Sequence, residues 1–221
     1  MADVAAVAED GEDFRQRLAA LGTLEELGAL AATCQRCRLR AGCRGVVFGE
    51  GDPHARICLI GEGPGATEDE LGRPFVGKAG QLLDRMLEAA SFARDAVYIS
   101  NVVLCRPPEN RTPADDEVAA CRPYLRRRLE MINPDIVVLL GATPLRAVID
   151  PAARITRERG RWYRLDGRWV LPTFHPAYLL RNPGAKKEAW EDFQMVRELH
   201  RRLRAPDGLS APPARSPESA G

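Results

Sequence analysis

Four short runs of consecutive apolar, largely β-branched residues recur along the chain, at 56–61, 97–101, 135–141 and 168–174, the first three stopping at Gly or Asn. Runs of this length without polar alternation predict strands covered on both faces. Helical spacing fills the intervals. Residues 79–90 put Leu82, Leu83, Met86 and Leu87 on one side, and 185–203 do the same with Trp190, Phe193, Val196 and either Leu199 or Leu203. Thr112 and Pro113 read as an N-cap and first helical residue ahead of a helix over 114–131, which Pro123 is expected to kink. A leading helix is expected over 13–32. Strand alternating with helix predicts an α/β domain, a parallel sheet with helices on both faces. From residue 205 the chain turns to Pro, Ser, Ala and Gly, the composition of a disordered tail.

In such sheets ligands gather beyond the carboxyl ends of the strands. Three polar clusters fall there: GEGPGATEDE at 61–70, SNVVLCRPPENRTP at 100–113 and FHPAYLLRNPG at 174–184. The first lacks the Lys and Ser/Thr of a P-loop and the spacing of a dinucleotide fingerprint, so those kinds of nucleotide binding are disfavoured. It offers instead a carboxylate-rich mouth, Glu62 with Glu68, Asp69 and Glu70, although a tight turn followed by a solvated acidic loop would read the same. His175, held before Pro176, is placed as a fixed electrophile or as a structural hydrogen-bonder. Tyr178, Leu179 and Leu180 beside Arg181 suit a wedge pushed into a base stack, or a loop packed into the core.

Length and charge narrow the class. A chain of 221 residues fits one domain of ordinary size. Net charge is only +1, but 29 of the 32 basic residues are Arg, which allows an acidic polymer as partner and equally fits a GC-rich genome. The first 13 residues carry five acids and no base, the wrong charge for a secretory signal, and no apolar run reaches membrane-spanning length, so a cytoplasmic protein is expected. In that reducing compartment six cysteines point to metal ligation or burial rather than disulfides. Cys34 and Cys37 form C-x-x-C, Cys105 and Cys121 form C-x15-C, and the 67 residues between the pairs are too many for a zinc ribbon.

The motifs together carry a resemblance. GEGPG-x2-ED, GRPFVGKAG at 72–80, NVVLCRPPENRTP from Asn101 and HPAYLLR from His175 resemble the iron-sulfur uracil-DNA glycosylases called family 4, with order and spacing kept over roughly 34–203. The resemblance implies a three-layer α/β/α sandwich around a central four-stranded parallel sheet. It implies a glycosylase domain over 34–204, preceded by an acidic segment and leading helix packed on the core over 1–33 and followed by the tail over 205–221. It implies a 4Fe-4S cluster held as a structural staple by Cys34, Cys37, Cys105 and Cys121, with Cys43 as a competing ligand and zinc as a competing metal. Cys58, inside a strand, reads as core.

The activity implied is flipping of uracil from DNA and hydrolysis of its N-glycosidic bond, leaving an abasic site for base excision repair. Phe75 would stack on the uracil, Asn101 would read its O4 and N3, and His175 would donate to O2 as negative charge builds there, with backbone amides at Glu62 and Gly63 adding contacts. A carboxylate must steady a water and the positive sugar, a role given jointly to Glu62 and Glu68. Gly65 stands where family 1 enzymes carry the Tyr that bars thymine, so the motif leaves that barrier unassigned. Lys78, Arg106, Arg111 and Arg181 are candidate phosphate contacts, with Tyr178, Leu179 and Leu180 filling the gap left by the base. Single- or double-stranded uracil-containing DNA is the expected substrate of a monomer, with a replication or repair protein as a possible partner of the tail. The alternatives are a non-catalytic iron-sulfur binder of damaged DNA and a covalently trapping relative. Against the latter, no His lies between Asn101 and Cys121.

Overall fold

The computed structural model describes residues 11–205. Its strands are β1 (Glu50–Gly51), β2 (Ile57–Gly61), β3 (Tyr98–Asn101), β4 (Ile136–Leu140), β5 (Tyr163–Leu165) and β6 (Arg168–Thr173). They form one sheet in the order β1-β3-β2-β4-β6-β5. The four expected strands are the inner four and run mutually parallel, while β1 and β5 add antiparallel edges. The expectation of a four-stranded parallel sheet is therefore corrected to a mixed sheet of six strands. Periodicity misses both edges because two or three residues are too few to show a period. The β5–β6 hairpin does carry a local signal, Asp166-Gly167, whose positive φ values of 47° and 77° suit a two-residue turn.

Side chains alternate between two cores. Cys58 and Ile60 of β2, with Val137 and Leu139 of β4, pack against Leu27, Leu125 and Tyr124 on one face. Ile57 and Leu59, with Ile136, Val138 and Leu140, meet Leu83, Leu87, Phe193 and Val196 on the other. Helices Leu24–Ala32 and Asp115–Ile132 thus cover one face and Lys78–Ala89 and Lys186–Leu203 the opposite one. Truncating one such buried Leu to Ala costs about 2–5 kcal/mol in a core of this kind.

The leading helix is broken in two, Gly11–Ala20 and Leu24–Ala32. Thr23 starts the second half with a capping box: its Oγ1 accepts from Glu26 N–H at 3.1 Å, and Glu26 Oε2 accepts from Thr23 N–H at 3.1 Å. The helix expected over 114–131 runs Asp115–Ile132 through Pro123. Its N-cap position is Ala114 rather than Thr112, and the buried Glu117 carboxylate accepts the Ala114 N–H at 2.8 Å. The tail, apart from Ala205, lies outside the described residues.

Register levels the ends of the inner strands. Gly61 lies opposite Asn101 and Leu140 opposite Thr173. Gly141 N–H donates to Thr173 O at 2.9 Å, so the turns after β2, β3, β4 and β6 all open at one edge of the sheet.

Candidate active site

Small residues bring the side chains at that edge together. A Cβ on Gly61 would lie 2.5 Å from both Asn101 Oδ1 and Phe75 Cζ, so glycine alone lets the amide and the ring close on the strand end. A Cβ on Gly80 would fall 1.9 Å from Phe75 O, because helix Lys78–Ala89 begins hard against the Phe75 loop. Phe75 itself sits at a φ of 51°. Its buried ring lies 5.6 Å from the His175 ring, centroid to centroid. Asn101 is 1% exposed, and its Oδ1 is buried with no hydrogen-bond partner. Its backbone oxygen accepts from Arg128 Nη2 at 3.0 Å, from a guanidinium buried in the core. An unpaired buried carbonyl carries a desolvation penalty, and this one belongs to a residue that lines a cavity where a ligand could relieve it.

His175 caps the helix Pro176–Arg181. Its Nδ1 accepts from Ala177 N–H at 3.1 Å, which assigns the proton of the neutral ring to Nε2. Burial, reinforced by Arg181 and opposed by Glu68, brings its pKa down to about 4. The ring is therefore a neutral Nε2–H donor near pH 7.

The two carboxylates do different things. Glu68 Oε1 accepts from Val76 N–H at 3.0 Å and Gly77 N–H at 2.8 Å, which braces the Phe75 loop. Its Oε2 fills the space above Gly65, 2.7 Å from where a Cβ there would stand. Glu62 is not engaged with that loop; its Oε2 accepts the Thr143 hydroxyl from the turn after β4. Glu68 thus commits one oxygen to two backbone amides, whereas Glu62 is bonded to a side chain from the next strand's turn. Thr143 escaped the sequence reading. Its position after a buried run places it at the same strand edge as the three polar clusters, but the residue type alone does not single it out.

Glu62, Glu68, Phe75, Asn101 and His175 line one cavity of about 500 Å³, together with Gly63, Arg111, Tyr178 and Arg181, while Thr143 stands behind Glu62 rather than in the lining. A Cβ on Gly63 would meet Val103 at 2.8 Å, so this turn too is held close to the strand that carries Asn101. The volume suits a nucleotide-sized group. Of the expected DNA contacts, Tyr178, which lines the cavity, and Leu180, on the same short helix, are 37% and 40% exposed. Leu179 is corrected: it is 1% exposed and packs with Leu82, Phe174 and Ala189, because helical geometry turns it inward between its neighbours. Lys78 and Arg181 are exposed. Arg106 is bonded to Asn110 Oδ1 at 2.8 Å, and Arg111 makes two bonds to Glu117, at 2.7 and 2.8 Å. Arg111 therefore holds a fixed position at the rim.

Cys34, Cys37, Cys105 and Cys121 line a second, small cavity between the segment after helix Leu24–Ala32 and the start of helix Asp115–Ile132, with Arg36 and Arg40 beside them. Among the described residues no three His, Cys, Asp or Glu side chains converge on a single ion site. The thiols ring the cavity instead. Burial first, then the neighbouring sulfurs, push Cys121 up to about 12, with Leu104 and Arg128 opposing. Burial likewise raises Cys105 and Cys37. Arg36 Nε and Arg40 Nε are buried there without partners. An all-thiol donor set beside orphaned cationic donors fits a sulfur-ligated iron cluster. Cys43 contacts Cys105 and Arg40 but does not line the cavity, and Cys58 is core.

A nucleotide-sized pocket at the carboxyl edge of a largely parallel sheet, with an aromatic floor, an unpaired amide and a neutral imidazole, defines a base-binding α/β protein. Residues 48–194 match the family described as the Uracil DNA glycosylase superfamily, and the chain belongs to it. It is 51% identical over 153 residues to the type-4 uracil-DNA glycosylase of Thermotoga maritima, covering 67% of this chain and 79% of that one. Identity to the type-4 enzyme of Sulfurisphaera tokodaii is 43% over 188 residues, covering 81% and 86%. The type-5 enzyme of Pyrobaculum aerophilum is 34% identical, covering 61% and 66%.

Proposed function

We propose that the protein is a monofunctional uracil-DNA glycosylase that excises uracil from DNA in base excision repair. The observation that carries this reading is the unpaired, buried Oδ1 of Asn101, a residue that lines the same cavity as Phe75 and His175. A uracil stacked on Phe75 would offer N3–H to that oxygen and O4 to the Asn101 amide nitrogen, whereas cytosine presents the opposite pattern at both positions. The Glu68 carboxylate above Gly65 would then stand where a methyl group must be refused, so Glu68 takes the thymine barrier as well as the brace.

In the reaction the N1–C1′ bond breaks and its electron pair goes to the uracil, where His175 Nε2–H stabilises the charge on O2. Water adds its oxygen to C1′ and passes a proton to Glu62, whose Oε1 remains available while Oε2 is held by Thr143. No proton need leave His175, which burial already keeps neutral. Lys78, Arg181 and Arg111 would meet phosphates, and Tyr178 with Leu180 would fill the vacated stack. The four cysteines would hold a 4Fe-4S cluster whose iron–thiolate bonds cross-link the amino-terminal segment to the helix after β3. Uracil-containing DNA, single- or double-stranded, is the substrate of a monomer. Among the described residues no helix is long and apolar enough to cross a membrane.

The test is release of free base from oligonucleotides carrying one uracil, cytosine or thymine, followed by chromatography, with a denaturing gel alongside. Free uracil from the first substrate alone supports hydrolysis. A band surviving denaturation would favour covalent trapping, and binding without release would leave a damage reader.

A further inference from the structure

We infer that Thr143 is a positioning residue for catalysis, fixing the Glu62 carboxylate so that one oxygen faces the attacking water. The inference rests on the reading of Glu62 as the water-holding carboxylate. Thr143 is 9% exposed, in the first turn of the helix Ala142–Val148, and its hydroxyl donates to Glu62 Oε2. A glutamate side chain has three rotatable bonds, and the loop after β2 alone does not choose among its rotamers. A hydroxyl has a single proton; spending it on Oε2 leaves Oε1 without a competing donor from that hydroxyl, on a residue that lines the cavity. The Thr143 backbone is itself set. Gly141 turns at a φ of 102°, and a Cβ there would lie 3.0 Å from His175 Cβ, so one turn packs against the imidazole while its next residues hold the carboxylate. The donor to the departing base and the acceptor from the water are thereby indexed to each other through the end of β4. Glu68 has no comparable freedom, since its Oε1 is bound to Val76 and Gly77.

The test compares purified holoprotein carrying Thr143→Val and Thr143→Ser, each alone and combined with Glu62→Gln, by single-turnover excision and by affinity for uracil-containing DNA. Thr143→Val should slow the chemical step about tenfold or more with Kd within about twofold, Thr143→Ser should stay within about threefold of wild type, and on the Glu62→Gln background Thr143→Val should cost less than about twofold. Full activity in Thr143→Val, an equal loss on both backgrounds, or a loss residing in Kd would overturn the inference. Thr143→Ala replaces Thr143→Val in the same comparisons if the valine variant does not fold. Should the wild type release no uracil, the glycosylase reading falls on its own. Crystal structures of wild type and Thr143→Val then decide the contact: a displaced Glu62 carboxylate upholds it, an unmoved one overturns it.

Discussion

At the residue scale, two polar groups of the site, Asn101 and His175, are denied their ordinary solvent partners. Asn101 Oδ1 has no bond, and the His175 ring is too desolvated to hold a second proton near neutrality. Replacing Asn101 by Asp sets an acceptor against uracil O4 where the amide donated, and accepts instead from a cytosine amino group, while a buried carboxyl that keeps its proton supplies the donor cytosine N3 needs; uracil excision should fall on the order of 100-fold while cytosine release becomes detectable, as read by chromatography of the freed bases. For His175 the sign follows from a pKa brought down from 6.5 to about 4: the folded protein resists protonation that the unfolded chain accepts. The stability from burying it neutral is complete above pH 6.5 and drains away as pH falls toward 4. NMR titration of the ring should show it neutral at pH 5, with Nδ1 as the acceptor; a midpoint near 6.5 would refute the assignment. The carboxylates separate by substitution as well. Glu68→Gln keeps an oxygen for Val76 and Gly77 and should lose little rate, whereas Glu62→Gln should lose on the order of 100-fold, measured by single-turnover excision.

At the scale of elements, close approaches at glycine do the positioning. Gly80→Ala would drive a methyl to 1.9 Å from Phe75 O, so the loop must move. The expected result is a weakened substrate affinity, on the order of tenfold, with a melting temperature lower by several degrees, since 1 kcal/mol is worth about 2–4 °C in a domain of this size. Most of this scale was legible beforehand. Largely apolar runs, three of them ended by Gly or Asn, match the inner strands to within a residue or two, because a strand buried on both faces is built mostly of apolar side chains. Edge strands left no pattern, being short and half-solvated. The break at Gly22-Thr23 was written in the capping box but masked by a helical period that continues across it. Leu179 was misplaced because a motif orders residues without saying which way a helix turns them, and Thr143 was passed over because a lone Thr signals nothing until a carboxylate is seen against it.

For the whole molecule, one long helix joins the two functional regions. Helix Asp115–Ile132 carries Cys121 toward the thiol cavity, Glu117 between Arg38 and Arg111, and Arg128 beneath Asn101. Arg128 Nη1 and Nη2 reach Phe48 O and Asn101 O at 2.7 and 3.0 Å, and among the described residues the buried guanidinium has no carboxylate as a hydrogen-bond partner. On the proposal that the four cysteines hold a cluster, loss of one of them should be felt as lost stability first. Cys121→Ala is expected to bleach the visible absorbance of the holoprotein and lower its melting temperature by about 10 °C, on the order of 3 kcal/mol. An unchanged melting curve would remove the cysteines from any structural role. The claim at the centre of the account is that Asn101 and His175 share one uracil pocket, and the most direct measurement is alkali-dependent cleavage of an oligonucleotide bearing a single uracil, by wild type, Asn101→Ala and His175→Ala. Cleavage at the uracil that each substitution reduces on the order of 100-fold, with folding and cluster absorbance intact, is the predicted result. Cleavage undiminished in either variant would contradict it.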